Sequence, residues 1–261
     1  MDDLWDITRV AEYLGVSERT VYNRVRAGEL PAIKIGRLWR VRAGDLQSWL
    51  GAPSAHTTGP YPYASEREPL SVVREAGARP DRVRLEALLA PLADPLARRL
   101  AFVGLLSFAC EGLGWPAPVV VGGNAVEFYT AGDYATADID LAGASEPIAQ
   151  VLGEWGFERE GRHFYDQELN LVLEVPGGRL APEQLAHAAA VRIAGVTAYV
   201  LGIEDLIVDR LAACVFWKDE ESCVWARVML TGEYDIDRQY LEERAAAEDV
   251  LDMLRELESR S

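Results

Sequence analysis

The chain lacks any apolar run long enough to cross a bilayer. The longest, LAFVGLLSFAC at 100–110, is too short to span and is predicted to be a buried helix. Cysteine is scarce: Cys110, Cys214 and Cys223 show no metal-type spacing, and their odd number argues against a disulfide framework. The three histidines, His56, His163 and His187, show no ligand spacing and are expected to be structural or exposed. There is no P-loop, no H-E-x-x-H and no C-x-x-C. No internal repeat is evident. The start, MDDLWD, is acidic and lacks an apolar stretch, so no secretory leader is expected. Together these absences predict a reduced, cytoplasmic protein with no membrane partner.

Positive charge is also short: 26 Lys and Arg stand against 42 Asp and Glu, a net charge of -16. The imbalance is uneven. Residues 1–50 hold eight basic and seven acidic side chains, leaving 18 and 35 for the rest. An acidic body of that kind repels phosphate backbones at long range, so contact with nucleic acid is expected from the first fifty residues. With 261 residues, 49% of them hydrophobic, the chain can bury one large core or two ordinary ones.

Residues 6–50 follow one compact pattern. DITRVAEYLG offers Thr8 as an N-cap and Gly15 as a stop; VSERTVYNRVRAGELP offers Ser17 as an N-cap, Val21 and Val25 at i,i+4, and Gly28 as a stop. Two short helices joined by a glycine turn predict a helix-turn-helix. AIKIGRLWRV then reads as a β-hairpin with an apolar face (Ile33, Ile35, Trp39, Val41) and a basic one (Lys34, Arg40, Arg42). Residues 51–80 begin with GAPSAHTTGPYPYASEREP, rich in Pro, Gly, Ser and Thr, and are expected to be a linker. Residues 81–261 form the second domain. It starts with a helical pattern over 81–113, expected to be split or kinked at Pro91, Pro95 and Gly104. A strand at 119–121, a helix opening at Gly123, a strand bearing D-x-D and a helix at 146–155 follow. Two or three antiparallel strands over 157–175, a hairpin in VRIAGVTAYV and helices from 203 onward complete an α+β fold with a small mixed sheet.

The chemistry concentrates in VVVGGNAVEFYTAGDYATADIDL at 119–141. A glycine pair between a strand and a helix lets a phosphate approach backbone N–H groups unobstructed. Asp138 and Asp140, two apart on a strand, project from one face. Two carboxylates so close repel each other unless a cation lies between them, and oxygen ligands suit Mg²⁺ or Mn²⁺. Glu174, a lone acid in the apolar strand LNLVLEV, is the candidate third carboxylate; Asp166 and Glu168 are the alternatives. Either half alone is ordinary, since a glycine pair is a common strand–helix turn and a D-x-D a common solvated strand end.

In that order and spacing, GGNAVEFYT…YATADIDL followed by Glu174 resembles the nucleotidyltransferase superfamily, closest to the minimal nucleotidyltransferases that include toxins of toxin–antitoxin and abortive-infection systems. VLGIEDLIVDRLAACVFWKDEE resembles their C-terminal block, so the resemblance runs over about residues 115–230. It implies transfer of a nucleoside monophosphate from an NTP to an RNA or protein acceptor, with an antitoxin as partner. Gly122 and Gly123 would hold the triphosphate, and Asp138, Asp140 and Glu174 the metal. Glu174 would also activate the acceptor hydroxyl. Arg210 and Lys218 would neutralise phosphate charge, and Asp219 would orient one of them. Two departures stand out: Tyr134 occupies the place of an arginine usual in toxin members, and Arg210 that of a lysine.

Residues 7–50 resemble the excisionase/MerR-type winged helix-turn-helix. The resemblance implies DNA as a partner. Arg19, Asn23 and Arg26 fall on one face of the second helix, with Arg24 on its flank, and arginine and asparagine side chains read guanine and adenine edges. Lys34, Arg37, Arg40 and Arg42 on the hairpin would reach phosphates or the minor groove. A single copy implies a homodimer on paired half-sites. Two other functions fit the same residues: a regulator whose second domain only binds a nucleotide or dimerises, and an enzyme modifying a small antibiotic.

Binding measured on several sequences and at several salt concentrations tests the head. Arg19→Ala is expected to relax sequence preference, losing about 1–3 kcal/mol at one base pair, while Lys34→Ala weakens binding to all sequences and lowers the salt slope by about one. Equal losses on every sequence for both variants would contradict the helix assignment.

Overall fold

The computed structural model describes residues 4–14, 21, 25, 30–35, 38–46, 65–66, 79–130, 132–136, 138–232 and 234–259. The chain divides into two compact units, Met1–Thr58 and Gly59–Ser261.

In the first unit, helix α1 (Ile7–Leu14) is capped by Asp6, whose carboxylate accepts the Arg9 N–H at 2.9 Å. Thr8, the expected cap, lies within the helix. The aspartate precedes it and already meets the first free N–H groups. Val21 and Val25 are helical and buried, packing with Val10, Ala11, Leu30, Val41 and Leu46. A three-stranded sheet, β1 (Leu4–Trp5), β2 (Ile33–Ile35) and β3 (Leu38–Arg42), has the order β1-β3-β2. Its register corrects the expected faces. Ile33 lies opposite Arg40 and Lys34 opposite Trp39. Arg40 therefore shares a face with Ile33, and the apolar and basic sets do not separate. Arg19, Asn23, Arg24, Arg26 and Arg37 lie outside the described residues, as does the side chain of Lys34.

The second unit is a mixed sheet with helices, and its C-terminal part is helical. Its strands are β4 (Ser65–Glu66), β5 (Val119–Val121), β6 (Ile139–Ala142), β7 (Glu158–Glu160), β8 (His163–Asp166), β9 (Leu171–Glu174), β10 (Ala189–Ile193) and β11 (Val196–Val200). They form one eight-stranded sheet, larger than expected, in the order β4-β10-β11-β5-β6-β9-β8-β7. β11 and β5 run parallel, as do β6 and β9; the other neighbours are antiparallel. Within the span expected as linker, β4 pairs with β10, and the Pro80 carbonyl accepts the Trp155 indole N–H at 2.9 Å.

Helix α2 (Arg82–Leu89) begins at its Asp81 cap, and helix α3 (Pro95–Gly112) at its Asp94 cap with Pro95 in the first turn. The break between them falls where the prolines predicted it. At Gly104, however, α3 runs on unbroken. The glycine serves packing: a Cβ there would lie 2.7 Å from Val196 Cγ2, so its absence lets α3 press against β11. Helices α4 (Gly122–Tyr129), α5 (Ser145–Glu154) and α6 (Pro182–His187) connect strands. Helices α7 (Ile203–Trp217), α8 (Glu220–Thr231), α9 (Arg238–Ala247) and α10 (Leu251–Ser259) close the chain. Buried Asp205 fastens α9 to α7, accepting bonds from the Tyr240 hydroxyl and Arg244 Nε, each at 2.9 Å.

The cysteines also depart from expectation. Cys214 and Cys223 form a disulfide, with Cα atoms 5.1 Å apart. Lys218, at φ 58°, turns the chain back between α7 and α8, and this reversal brings the two thiols together. Cys110 is free and buried, and burial, with Glu111 beside it, pushes its thiol up to about 12.

Candidate active site

The sheet register builds the site. Val121 on β5 lies opposite Asp140 on β6, Asp140 lies opposite Glu174 on β9, and Glu174 lies opposite His163 on β8. Residues opposite one another on neighbouring strands share a face, so one row crosses four strands. Asp138, at the entry to β6, falls on the same side by the two-residue period. Carboxylate oxygens of Asp138, Asp140 and Glu174 come within 4.8 Å of one another. Among the described residues, these are the acids that gather in this way.

The crowding has an electrostatic cost. Burial pushes the Asp140 carboxyl up to about 6, and the charges of Asp138 and Glu174 push the same way. The Gly123 N–H, 3.4 Å from Asp140 Oδ2, and the charge of Arg210 oppose the rise. Three hard oxygen donors under mutual repulsion fit a Mg²⁺ or Mn²⁺ ion. The glycine pair is required sterically. Gly122 has φ 59°, and a Cβ on it would lie 2.3 Å from Asp140 Oδ2. A Cβ on Gly123 would lie 3.1 Å from the Tyr134 ring.

The remaining predicted residues separate. Arg210 on α7 is partly buried, its Nη2 pairs with Asp209 at 2.5 Å, its charge reaches both Asp140 and Asp219, and its Nε is buried with no hydrogen-bond partner among the described residues. Lys218 is exposed in the left-handed turn after α7. Asp219 caps α8, accepting from the Ser222 hydroxyl at 2.7 Å and the Glu221 N–H at 3.1 Å; these bonds hold its carboxyl below the usual range. Asp166, an alternative third acid, is engaged by Arg82 and by the Leu169 N–H at 2.9 Å. Burial would raise its pKa, but those partners lower it. Glu168 also pairs with Arg82, at 3.1 Å.

Sequence reasoning missed two groups. Arg162 Nε lies 2.9 Å and His163 Nε2 3.5 Å from the Glu174 carboxylate. Only register places them there. Arg99, Asn124 and Glu127 are buried polar side chains behind the glycine pair. Here a signal was present: an arginine within an apolar helix and two polar residues three apart at the start of another.

Residues 6–52 match the helix-turn-helix domain family. Over 47 residues of that domain the chain is 43% identical to a candidate DNA-binding protein of Mycobacterium tuberculosis strain CDC 1551 / Oshkosh, and equally to one of strain ATCC 25618 / H37Rv. The match covers 18% of this chain, which spans 60% of the length of those relatives. A crystal structure of ANT(2")-Ia in complex with adenylyl-2"-tobramycin overlaps 58% of this chain and 97% of its own, at 19% identity and a TM-score of 0.38.

The raised pKa of Asp140 gives a stability test in metal-free buffer. The folded state holds this proton up to about pH 6, while an unfolded aspartate releases it near 3.8, so burial, with the neighbouring carboxylates, destabilises the fold progressively as pH rises through that window. Asp140→Asn is expected to stabilise the protein at pH 7.5 by about 1 kcal/mol after allowance for solvent screening. The gain should vanish near pH 4. Thermal unfolding at both pH values checks this, and a gain independent of pH would contradict it.

Proposed function

We propose that the chain is a metal-dependent nucleotidyltransferase with a DNA-binding head. It transfers a nucleoside monophosphate from an NTP to an RNA or protein acceptor, in the setting of a toxin–antitoxin or phage-defence system. The observation that carries the reading is the convergence of Asp138, Asp140 and Glu174 beside the glycine pair.

Each part then has a task. Gly122 and Gly123 stand at the start of α4 beside Asp140, where backbone N–H groups would hold the triphosphate. Asp138, Asp140 and Glu174 would hold the divalent ion. When bound, that ion supplies positive charge for the phosphate oxygens and favours ionisation of a hydroxyl beside it. Glu174 takes the proton of the acceptor hydroxyl; the acceptor oxygen bonds to the α-phosphorus, the bond to the bridging oxygen breaks, and pyrophosphate leaves. Arg210 and Lys218 offset phosphate charge, and Asp219, whose charge reaches Arg210, orients that guanidinium. The helix-turn-helix domain brings the enzyme to DNA as a homodimer, where it regulates its own operon. The ion pair between Arg162 and Glu174 favours a second reading, in which the site binds a nucleotide without turning it over and the protein acts as a regulator.

Incubation of the full chain with α-labelled NTPs, Mg²⁺ and cell extract separates the two. Label is expected to pass to an RNA or protein band, and Asp138→Ala or Asp140→Ala to reduce transfer to background. No transfer from any NTP, with metal-dependent nucleotide binding retained by calorimetry, would replace the enzyme with the regulator.

A further inference from the structure

Asp138 stands just before β6, so the strand ladder that fixes Asp140 and Glu174 does not fix it. A buried polar network holds it instead. Arg99 on α3 is 9% exposed, Asn124 is 1% exposed and Glu127 is 7% exposed. Arg99 Nε donates to Asn124 Oδ1 at 2.9 Å, and its Nη2 donates to Glu127 Oε1 at 2.5 Å. From Asn124 the route continues through Nδ2, which donates to the Asp138 carbonyl. From Glu127 it continues through Oε2, which accepts the Thr136 N–H at 3.3 Å; the Thr136 hydroxyl in turn donates to Asp138 Oδ1 at 2.8 Å.

We propose that Arg99 is a positioning residue for the metal site, holding Asp138 in its ligating geometry by two routes, one to its backbone carbonyl and one to its carboxylate. The inference rests on the metal-dependent reading of the site. Arginine suits the task because its planar fork reaches two acceptors at once, whereas a lysine offers a single point charge. Both acceptors lie on α4, the helix that opens at Gly122-Gly123, so one guanidinium fixes the glycine turn and the aspartate loop together. A buried ion pair is weak evidence for stability, since apolar residues of similar volume serve a core as well or better. What the pair does here that apolar residues cannot do is anchor a hydrogen bond to the Thr136 backbone and orient the Asn124 amide. Partners that orient ligands in this way set metal affinity.

Mn²⁺ alone, titrated into the full-length protein and followed by the loss of its free electron-paramagnetic-resonance signal, tests this. The parent is expected to bind Mn²⁺. Thr136→Val, nearly isosteric, removes the bond to the Asp138 carboxylate and should weaken binding about 10-fold. The double variant Arg99→Met with Glu127→Met removes both buried charges together and should weaken binding about 10–100-fold, with circular dichroism and the unfolding midpoint preserved. Parental Mn²⁺ affinity in a folded double variant would overturn the inference. Should that variant fail to fold, parental affinity in Thr136→Val would overturn it. A parent that binds no Mn²⁺ removes the metal-dependent reading and this inference together. Unchanged affinity in the variants of a parent that binds removes the inference alone.

Discussion

Like-charge repulsion among three carboxylates is the constraint around which the second unit is organised. Left to themselves, Asp138, Asp140 and Glu174 would separate or take up protons, and at Asp140 burial first, then the charges of its two neighbours, raise the carboxyl in that direction. The sheet prevents separation. β6 lies between β5 and β9, and its register with each sets Asp140 beside Val121 on one side and Glu174 on the other. A one-residue slip of either pairing would send one of these side chains to the opposite face and dissolve the cluster. The cores of β5, β6 and β9, with Val119, Val120, Ile139, Leu141, Leu171 and Leu173 all buried, make such a slip costly.

Around the acids, the neighbouring groups divide by function. Behind them lies a buried polar layer, Arg99 with Asn124 and Glu127, which ties α3 and α4 to the aspartate loop. At the side, Arg210 reaches Asp140 electrostatically from α7. On the outer edge, Arg162 and His163 bond to Glu174 from the exposed end of the β7–β8 hairpin. The inner contacts are buried, while the outer ones are partly open to solvent. Arg162 is exposed and Glu174 half-buried, so this pair is more open to solvent than the buried layer behind the acids.

Much of this was legible in the sequence because it rests on local rules. The glycine pair, the D-x-D two-residue period and the i,i+4 valines of the helix-turn-helix each depend on neighbours close along the chain. What escaped depended on partners far along it. Glu174 could be named as the lone acid in an apolar strand, but its pairing with Asp140 follows from a parallel register that no short stretch encodes. Arg99 lies 25 residues from Asn124 and 28 from Glu127, and as letters it resembles any charge on a helix. Gly104 was read as a helix breaker because its partner, Val196, is equally remote. The disulfide was discounted on the odd number of cysteines, although the turn at Lys218 brings two of them together. The hairpin faces failed for another reason: alternation within each strand was correct, but the pairing register decides which face of one strand meets which face of the other.

The helix-turn-helix and the acidic unit have opposite charge characters, and each suits a different phosphate chemistry. Residues 1–50 hold eight basic and seven acidic side chains, a composition that does not repel a polyanion. An acidic unit repels phosphate unless a cation intervenes. The claim that a divalent ion resides among Asp138, Asp140 and Glu174 is therefore central. It is tested most directly by anomalous diffraction from crystals of the full chain grown with Mn²⁺ and a non-hydrolysable NTP. The account predicts an anomalous peak bonded to oxygens of all three carboxylates and to the triphosphate beside Gly122-Gly123. A nucleotide bound elsewhere, or a closed Arg162–Glu174 pair with no peak between the acids, would contradict it.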